Sequence, residues 1–332
     1  MKRLLATIFA LFIFLGIAFF YPTQNKTNTK KTPVVGILQL MTHPALDSIH
    51  RGIIAGLKEK GYVVGKNLKI DYQNAQGDQS NLKSMSDRFK NENVDVMVGI
   101  ATPAAQSLAN VTSSTPIVMG AISDPVSAGL VKSLSNPKNN GNITGTQHVE
   151  PVRKQVQLIK KLMPNLNTIG VIYTSSDDSS TAEYKEFKHL AEDNGITVKT
   201  YTISSTNDID QVSATMSSEV QAVYVPTDNT VASGIQTLLK NTNAANIPVF
   251  ASVASMVKSG AVATYSVSQY DIGKLTGKIV AEILSGKKPN QIAITHISKG
   301  NYSFNTTQAK KFGITIPKSL LKQAKIKGEI YK

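Results

Sequence analysis

Residues 94–130 read VDVMVGIATPAAQSLANVTSSTPIVMGAISDPVSAGL, and this stretch repeats one device twice: an apolar strand, a short polar turn, then a capping residue followed by proline. In the first copy the strand is Val94 to Ile100, Thr102 is a candidate N-cap and Pro103 follows at the first helical position, where its missing N–H costs nothing. The second copy runs from Ile117 to Ala121, then Ser123, Asp124 and Pro125. The spacing predicts two helix N-termini opening at the carboxyl ends of two neighbouring strands. Such ends offer unpaired N–H groups and partial positive charge, which suit a small anion such as a carboxylate. The plainer reading is that Thr-Pro and Asp-Pro only start helices, since capping needs no ligand.

The same alternation extends in both directions. Pro33 to Leu40 is a nearly continuous apolar run of the kind found in a parallel sheet covered on both faces. After Met41-Thr42-His43-Pro44, apolar residues recur at Leu46, Ile49, Ile53 and Leu57 and predict a helix with one buried face. Strand Leu68 to Tyr72, helix Asn81 to Lys90 and strand Asn142 to Gln147 complete a first series of five strands. A second series follows His148-Val149-Glu150-Pro151, with strands Thr168 to Tyr173, Thr197 to Tyr201, Val220 to Val225, Pro248 to Ala251 and Ala261 to Tyr265. Its helices are expected near Ala182 to Asn194, Asn207 to Ser218, Thr230 to Lys240 and Ser252 to Ser259. The fold class is therefore α/β, with right-handed crossovers and two doubly wound parallel sheets. Ligands of such sheets bind beyond the carboxyl ends of the strands, so two lobes facing each other enclose a cleft. The end departs from the pattern: helix Asp271 to Leu284, strand Ile292 to Ile297, then Tyr302 onward and a short terminal helix.

Composition narrows the function. The chain has 332 residues, a formal net charge of +14, no cysteine and no tryptophan. The absence of cysteine removes disulfides, thiolate metal sites, a cysteine nucleophile and a lipid-modified cysteine together. Basic residues occur as scattered pairs such as Lys160-Lys161 and Lys310-Lys311, without a dense block or interleaved aromatics, which argues against a nucleic-acid partner. The leader is Met1-Lys2-Arg3 followed by an apolar run from Leu4 to Tyr21, about 27 Å long as a helix. Bulky Phe19 and Phe20 stand where a peptidase wants small residues, which favours an uncleaved signal anchor over a cleaved secretory peptide; either way the body is exported. Tyr21 to Thr32 is a polar tether.

Enzymatic motifs are missing. Gly61 to Asn67 has one residue too few for a phosphate loop and no Ser or Thr after Lys66. There is no G-x-S-x-G, H-E-x-x-H or G-x-G-x-x-G. His43 and His50 lack a third ligand and make a poor metal site, and the Asp177-Asp178 pair has no partner in view. No catalytic residue, metal or cofactor is expected.

Taken together, PVVGILQ at the first strand, ATPAAQ, SDPV, NITGT, PTDN and the tail FNTTQAKKFGITIP resemble the ABC-transporter substrate-binding proteins of the TrpX-like branch, from Pro33 to the C-terminus. The resemblance implies a type I periplasmic-binding-protein plan: two Rossmann-like lobes joined by three crossing strands that close on an amino acid, tryptophan first among the aromatic ones. The crossings would fall near Gln147 to Pro151, Ser266 to Tyr270 and Ser298 to Tyr302. The first lobe would be residues 33–148 plus 271–297, and the second 149–268 plus 299–332. Many such proteins in organisms without a periplasm are lipoproteins; this chain has no cysteine for that. The expected partners are an aromatic amino acid, an ABC permease and its ATPase, with the chain itself a monomer. The alternative is an exported receptor for another small amino acid or anion that reports to a sensor protein.

An amino acid needs donors for its carboxylate, an acceptor for its ammonium and an apolar pocket. Thr102 and Ser123 supply donors at the two turns of the opening stretch, while Gln39, Thr42 and Thr144 end other strands of the same sheet. In the second lobe Thr174 and Ser175 follow one strand, and Asp228 and Asn229 follow another. Asp228 is the chosen ammonium partner, against the simpler reading that it caps the helix starting at Thr230. Tyr265 or Met41 is expected to wall the side-chain pocket.

Overall fold

The computed structural model describes residues 32–297 and 299–332. The leader and most of the tether, on which the reading as anchor or secretory peptide falls, lie outside the described residues. From the amino end, strands β1 (Val34–Gln39), β2 (Lys69–Asn74), β3 (Val96–Ile100), β4 (Ile117–Ile122) and β5 (Ile143–Gln147) alternate with helices α1 (Pro44–Glu59), α2 (Gln79–Asn91) and α3 (Thr102–Val111). Next come α4 (Val152–Leu162), β6 (Thr168–Thr174), α5 (Asp178–Asp193), β7 (Thr197–Ile203), α6 (Ile209–Ser217), β8 (Ala222–Val225), α7 (Asn229–Ser233), α8 (Ile235–Ala244), β9 (Val249–Ala251) and α9 (Ala254–Ser259). The chain closes with β10 (Ala263–Ser266), α10 (Gln269–Leu284), β11 (Thr295–His296), β12 (Asn301–Asn305), α11 (Thr306–Lys311), α12 (Lys318–Lys327) and β13 (Glu329–Tyr331).

Two parallel sheets result. The first runs β11-β5-β4-β3-β1-β2 and the second β7-β6-β8-β9. Every residue of β3 is buried, as the apolar run requires of a strand covered on both faces. The direction of strand addition reverses between β1 and β3 in the first sheet and between β6 and β8 in the second. A crevice opens at the carboxyl ends flanking such a reversal. Those ends are Gln39 to His43 and Ala101-Thr102 in one lobe, and Thr174-Ser175 and Pro226 to Asn229 in the other.

The chain passes between the lobes three times: from β5 into α4, from β10 into α10, and from β11 into β12. A third sheet, with β12 antiparallel to β10 and parallel to β13, ties the last crossings to the second lobe. On the first lobe α10 lies directly against α1. The two helices meet through Gly52 and Gly56 on one side and Gly273 and Gly277 on the other, where an added Cβ would come within 2.1–2.2 Å of a backbone oxygen of the opposite helix. This four-residue spacing of glycines lets backbones touch, and Lys274 and Lys278 then both reach Glu59.

Two expected helices take a different form. The helix predicted over Thr230 to Lys240 is broken into α7 and α8 at Gly234, whose backbone leaves helical values at φ −99° and ψ 15° and where a side chain would meet Ile209 Cδ1 at 2.4 Å. No regular helix follows Asp124-Pro125. Leu130 and Val131 N–H both return to the Pro125 carbonyl, Gly129 turns at φ 70°, and the buried pair Leu130-Val131 carries the chain back into the core after a single turn.

Candidate ligand-binding site

The two turns of the opening stretch share a feature that composition does not announce. Ala101, at the end of β3, has φ 77° and ψ 156°, and Ala121, near the end of β4, has φ 64°. The left-handed region is unfavourable for a residue with a Cβ, and the setting of Ala101 is one that glycine occupies almost alone. Its consequence is a shift by one residue in the start of α3. Ala101 is the N-cap, Thr102 is already helical, and no side chain caps the end. The threonine expected as a cap thereby has a free hydroxyl, which stands 3.3 Å from Ser179 Oγ on the opposite lobe. At the second turn the Asp124 carboxylate accepts from Val126 N, Ser127 N and Ser127 Oγ. The Ser127 bonds hold its pKa below the ordinary value. Of the two helix N-termini expected from the opening stretch one forms, that of α3, with the Ala121 to Ser123 loop beside it.

Asp228 faces this wall from the second lobe and is 1% exposed. Its carboxylate accepts from Thr174 N at 2.6 Å, Thr174 Oγ1 at 3.0 Å and Val231 N at 2.9 Å. It caps α7 and also lines the cleft. A carboxylate has about four acceptor sites, so about one remains. The next residue, Asn229, bridges the lobes: its Oδ1 accepts from His43 Nε2 at 2.9 Å. His43 is 5% exposed, its Nδ1 has no partner, and burial lowers its pKa, which keeps the ring neutral. From the crossing segments come His148, bonded to Glu150 at 2.7 Å, and Gln269, 3.1 Å from the same ring nitrogen.

These groups surround a cleft whose empty volume, mouth included, is about 490 Å³. Its apolar wall is Leu46 and Ile49 from α1 and Val253 and Met256 from the β9–α9 segment. Of the residues nominated from sequence, Thr102, Ser123, Asp228 and Asn229 meet here. Thr174 stands one layer back, bound to Asp228. The others lie elsewhere. Gln39 is buried and donates to Met41 O and Asp47 Oδ1; Thr42 is exposed beside Asn74. Thr144 donates to Ile292 O inside the first lobe. Ser175 is exposed, and Tyr265 packs edge-on against Tyr302. Sequence reasoning passes over Ser179, Thr227, His148 and Gln269 and weighs His43 only as a metal ligand. The signal available for Ser179 is its place two residues after the capping Asp177 on a strand-to-helix turn.

Residues 34–327 match the family model described as "ABC transporter substrate binding protein". A tyrosine-binding protein of Clostridioides difficile is 36% identical over 287 residues, 86% of this chain and 83% of that one. Among solved structures, an ABC domain from Streptococcus pneumonia in complex with L-Trp is 42% identical, with 90% of this chain and 99% of that one covered and a TM-score of 0.86. The ligand-free, open structure of a Clostridium difficile substrate binding protein with adhesive properties is 32% identical over the same shares and superposes less closely, at 0.69.

Proposed function

The chain belongs to the ABC transporter substrate-binding protein family and is a binding protein, not an enzyme; from that premise we propose that it captures an aromatic amino acid, tryptophan first, between its two lobes. The observation that carries this reading is the convergence in one cleft of the uncapped N-terminus of α3, the buried Asp228 carboxylate and an apolar wall. The ligand carboxylate sits at the α3 end near Thr102 and Ser123, the ammonium takes the remaining acceptor site of Asp228, and the side chain lies among Leu46, Ile49, Val253 and Met256. The tyrosine-binding relative and the L-Trp complex support that choice of ligand.

Capture requires the lobes to part, because the His43–Asn229 and Thr102–Ser179 pairs join the two walls of the cleft. A ligand favours closure only as far as it binds the closed form more tightly than the open one. Proteins of this family are extracytoplasmic, and no helix among the described residues is long and apolar enough to cross a membrane. In our reading Leu4 to Tyr21 tethers or exports the chain, and an ABC permease with its ATPase receives the ligand from it. The lobes are residues 33–148 plus 271–297 and 149–268 plus 299–332, working as a monomer. A thermal-shift and calorimetric screen against the common amino acids tests the assignment: tryptophan, tyrosine or phenylalanine raises the melting temperature. Absence of a shift with all three refutes it.

A further inference from the structure

Beneath the second-lobe side of the cleft, proton donors and acceptors can be counted. Tyr224 Oη lies 2.5 Å from Gln155 Oε1 and 2.6 Å from Glu183 Oε1. The orientation of the Gln155 amide is fixed, because its Nε2 faces the carbonyls of Ser252 and Tyr265 at 3.1 and 3.2 Å and Glu150 Oε2 at 3.3 Å. Turning the amide over would set its oxygen against three acceptors. Gln155 Oε1 is thus an acceptor, and the single hydroxyl proton of Tyr224 goes to it. The contact between Tyr224 Oη and Glu183 Oε1 then has no proton unless the carboxyl supplies one. The other oxygen, Oε2, accepts from Thr227 N at 3.0 Å, and Thr227 lines the cleft beside Asp228 and Asn229.

We propose that Glu183 is a neutral carboxylic acid in the working protein, and that its proton positions the Thr227 to Asn229 edge of the cleft, so that ligand capture is proton-dependent. The second half of this statement rests on the ligand reading above; the first does not. Glu183 is a positioning residue, acting through the Thr227 backbone. The surrounding charges agree. Glu150, the near carboxylate, accepts from His148 and Gln155, with its own side chain and that of His148 each 3% exposed, and burial raises its pKa as well. Glu186 lies on the same helix as Glu183, with Asp177 capping that helix and Asp228 at the cleft. Among the described residues no Lys or Arg pairs with Glu183. Burial first, then Glu150, raises the Glu183 pKa to about 7.

Glu183→Gln is the decisive variant, since its amide can donate to Tyr224 Oη and accept from Thr227 N with no proton to lose. Between pH 5.5 and 8.5, in the full chain without ligand, the melting temperature of the parent relative to E183Q falls as pH rises toward about 7 and levels off above it. With L-tryptophan as the probe, affinity of the parent drops at least threefold over that interval while that of E183Q stays level. A difference in melting temperature that does not change with pH overturns the proposal. If E183Q does not fold, infrared spectroscopy of Asp177→Asn, which removes the other carboxyl raised to about 6, decides: the carbonyl stretch of a protonated carboxyl, present at pH 6 and lost by pH 8.5, supports it, and its absence at pH 6 overturns it. A pH-dependent ligand-free profile with no tryptophan binding at any pH upholds the proton and refutes the ligand.

Discussion

His43 and Asn229, 186 residues apart in the chain, are joined side chain to side chain across the cleft at 2.9 Å. One belongs to the start of α1 and the other to the start of α7, so the bond exists only when the lobes meet. A neutral hydrogen bond of this kind contributes about 0.5–1.5 kcal/mol. His43→Ala or Asn229→Ala therefore lowers the closed-to-open ratio of the ligand-free protein by about 2- to 12-fold. Single-molecule energy transfer between dyes on the two lobes reads the change, and an unaltered distribution removes the bond from any part in closure.

Asp228 has two roles, and they can be separated. Losing the cap of α7 lowers stability by about 1 kcal/mol. Losing the partner of a desolvated ammonium weakens binding by about 2 kcal/mol or more. Asp228→Ala measured by denaturation and by calorimetry gives both numbers; full affinity with reduced stability leaves Asp228 a cap only.

The backbone at Ala101 is held where alanine is strained, at a cost of order 1–3 kcal/mol. Ala101→Gly relieves that strain and raises the denaturation midpoint. Should the midpoint fall instead, the strain argument fails with it.

Gly56 and Gly277 admit no side chain, since an added Cβ would lie 2.1 Å from Lys274 O or 2.2 Å from Ile53 O. Alanine at either position destabilises the first lobe by about 1–3 kcal/mol through forced separation of α1 and α10. Chemical denaturation of each single variant provides the check, with Gly120→Ala, whose Cβ meets nothing nearer than 3.4 Å and whose φ is not positive, as the control.

Asp177 caps α5 through Ser179 N and Ser180 N, and burial together with Asp228 raises its pKa to about 6. A carboxyl whose folded value exceeds its unfolded one binds more protons when folded, so stability falls as pH rises between the two values. For Asp177 that window lies between about pH 4 and 6. Melting curves of Asp177→Asn are accordingly flatter than those of the parent across it, and an identical slope excludes the contribution.

The alternation of strands and helices is open to sequence reasoning because buried parallel strands are written as unbroken apolar runs, and several helices here start at Asp, Ser or Asn. Position at a strand end is a poorer guide to the site. Side chains alternate across a sheet, so Thr144 and Thr146 share a face that looks toward Ile292 and Thr276, away from the cleft. The alanine turns are opaque for a different reason: Ala101 is written as an ordinary small residue, and its backbone is set by the strand and helix on either side. His43, Ser179 and His148 come together only through the meeting of lobes, which no local period encodes.

The glycine contact between α1 and α10 bears on how motion travels. His43 stands at the start of α1, and Gln269, the first residue of α10, follows a crossing strand; both line the cleft. Flexible side chains between two helices act as a cushion, absorbing small displacements by changing rotamer. Here backbone rests on backbone, and the cushion is missing. The pair behaves as a single lever with no backlash, one arm at the hinge and the other at the mouth of the cleft.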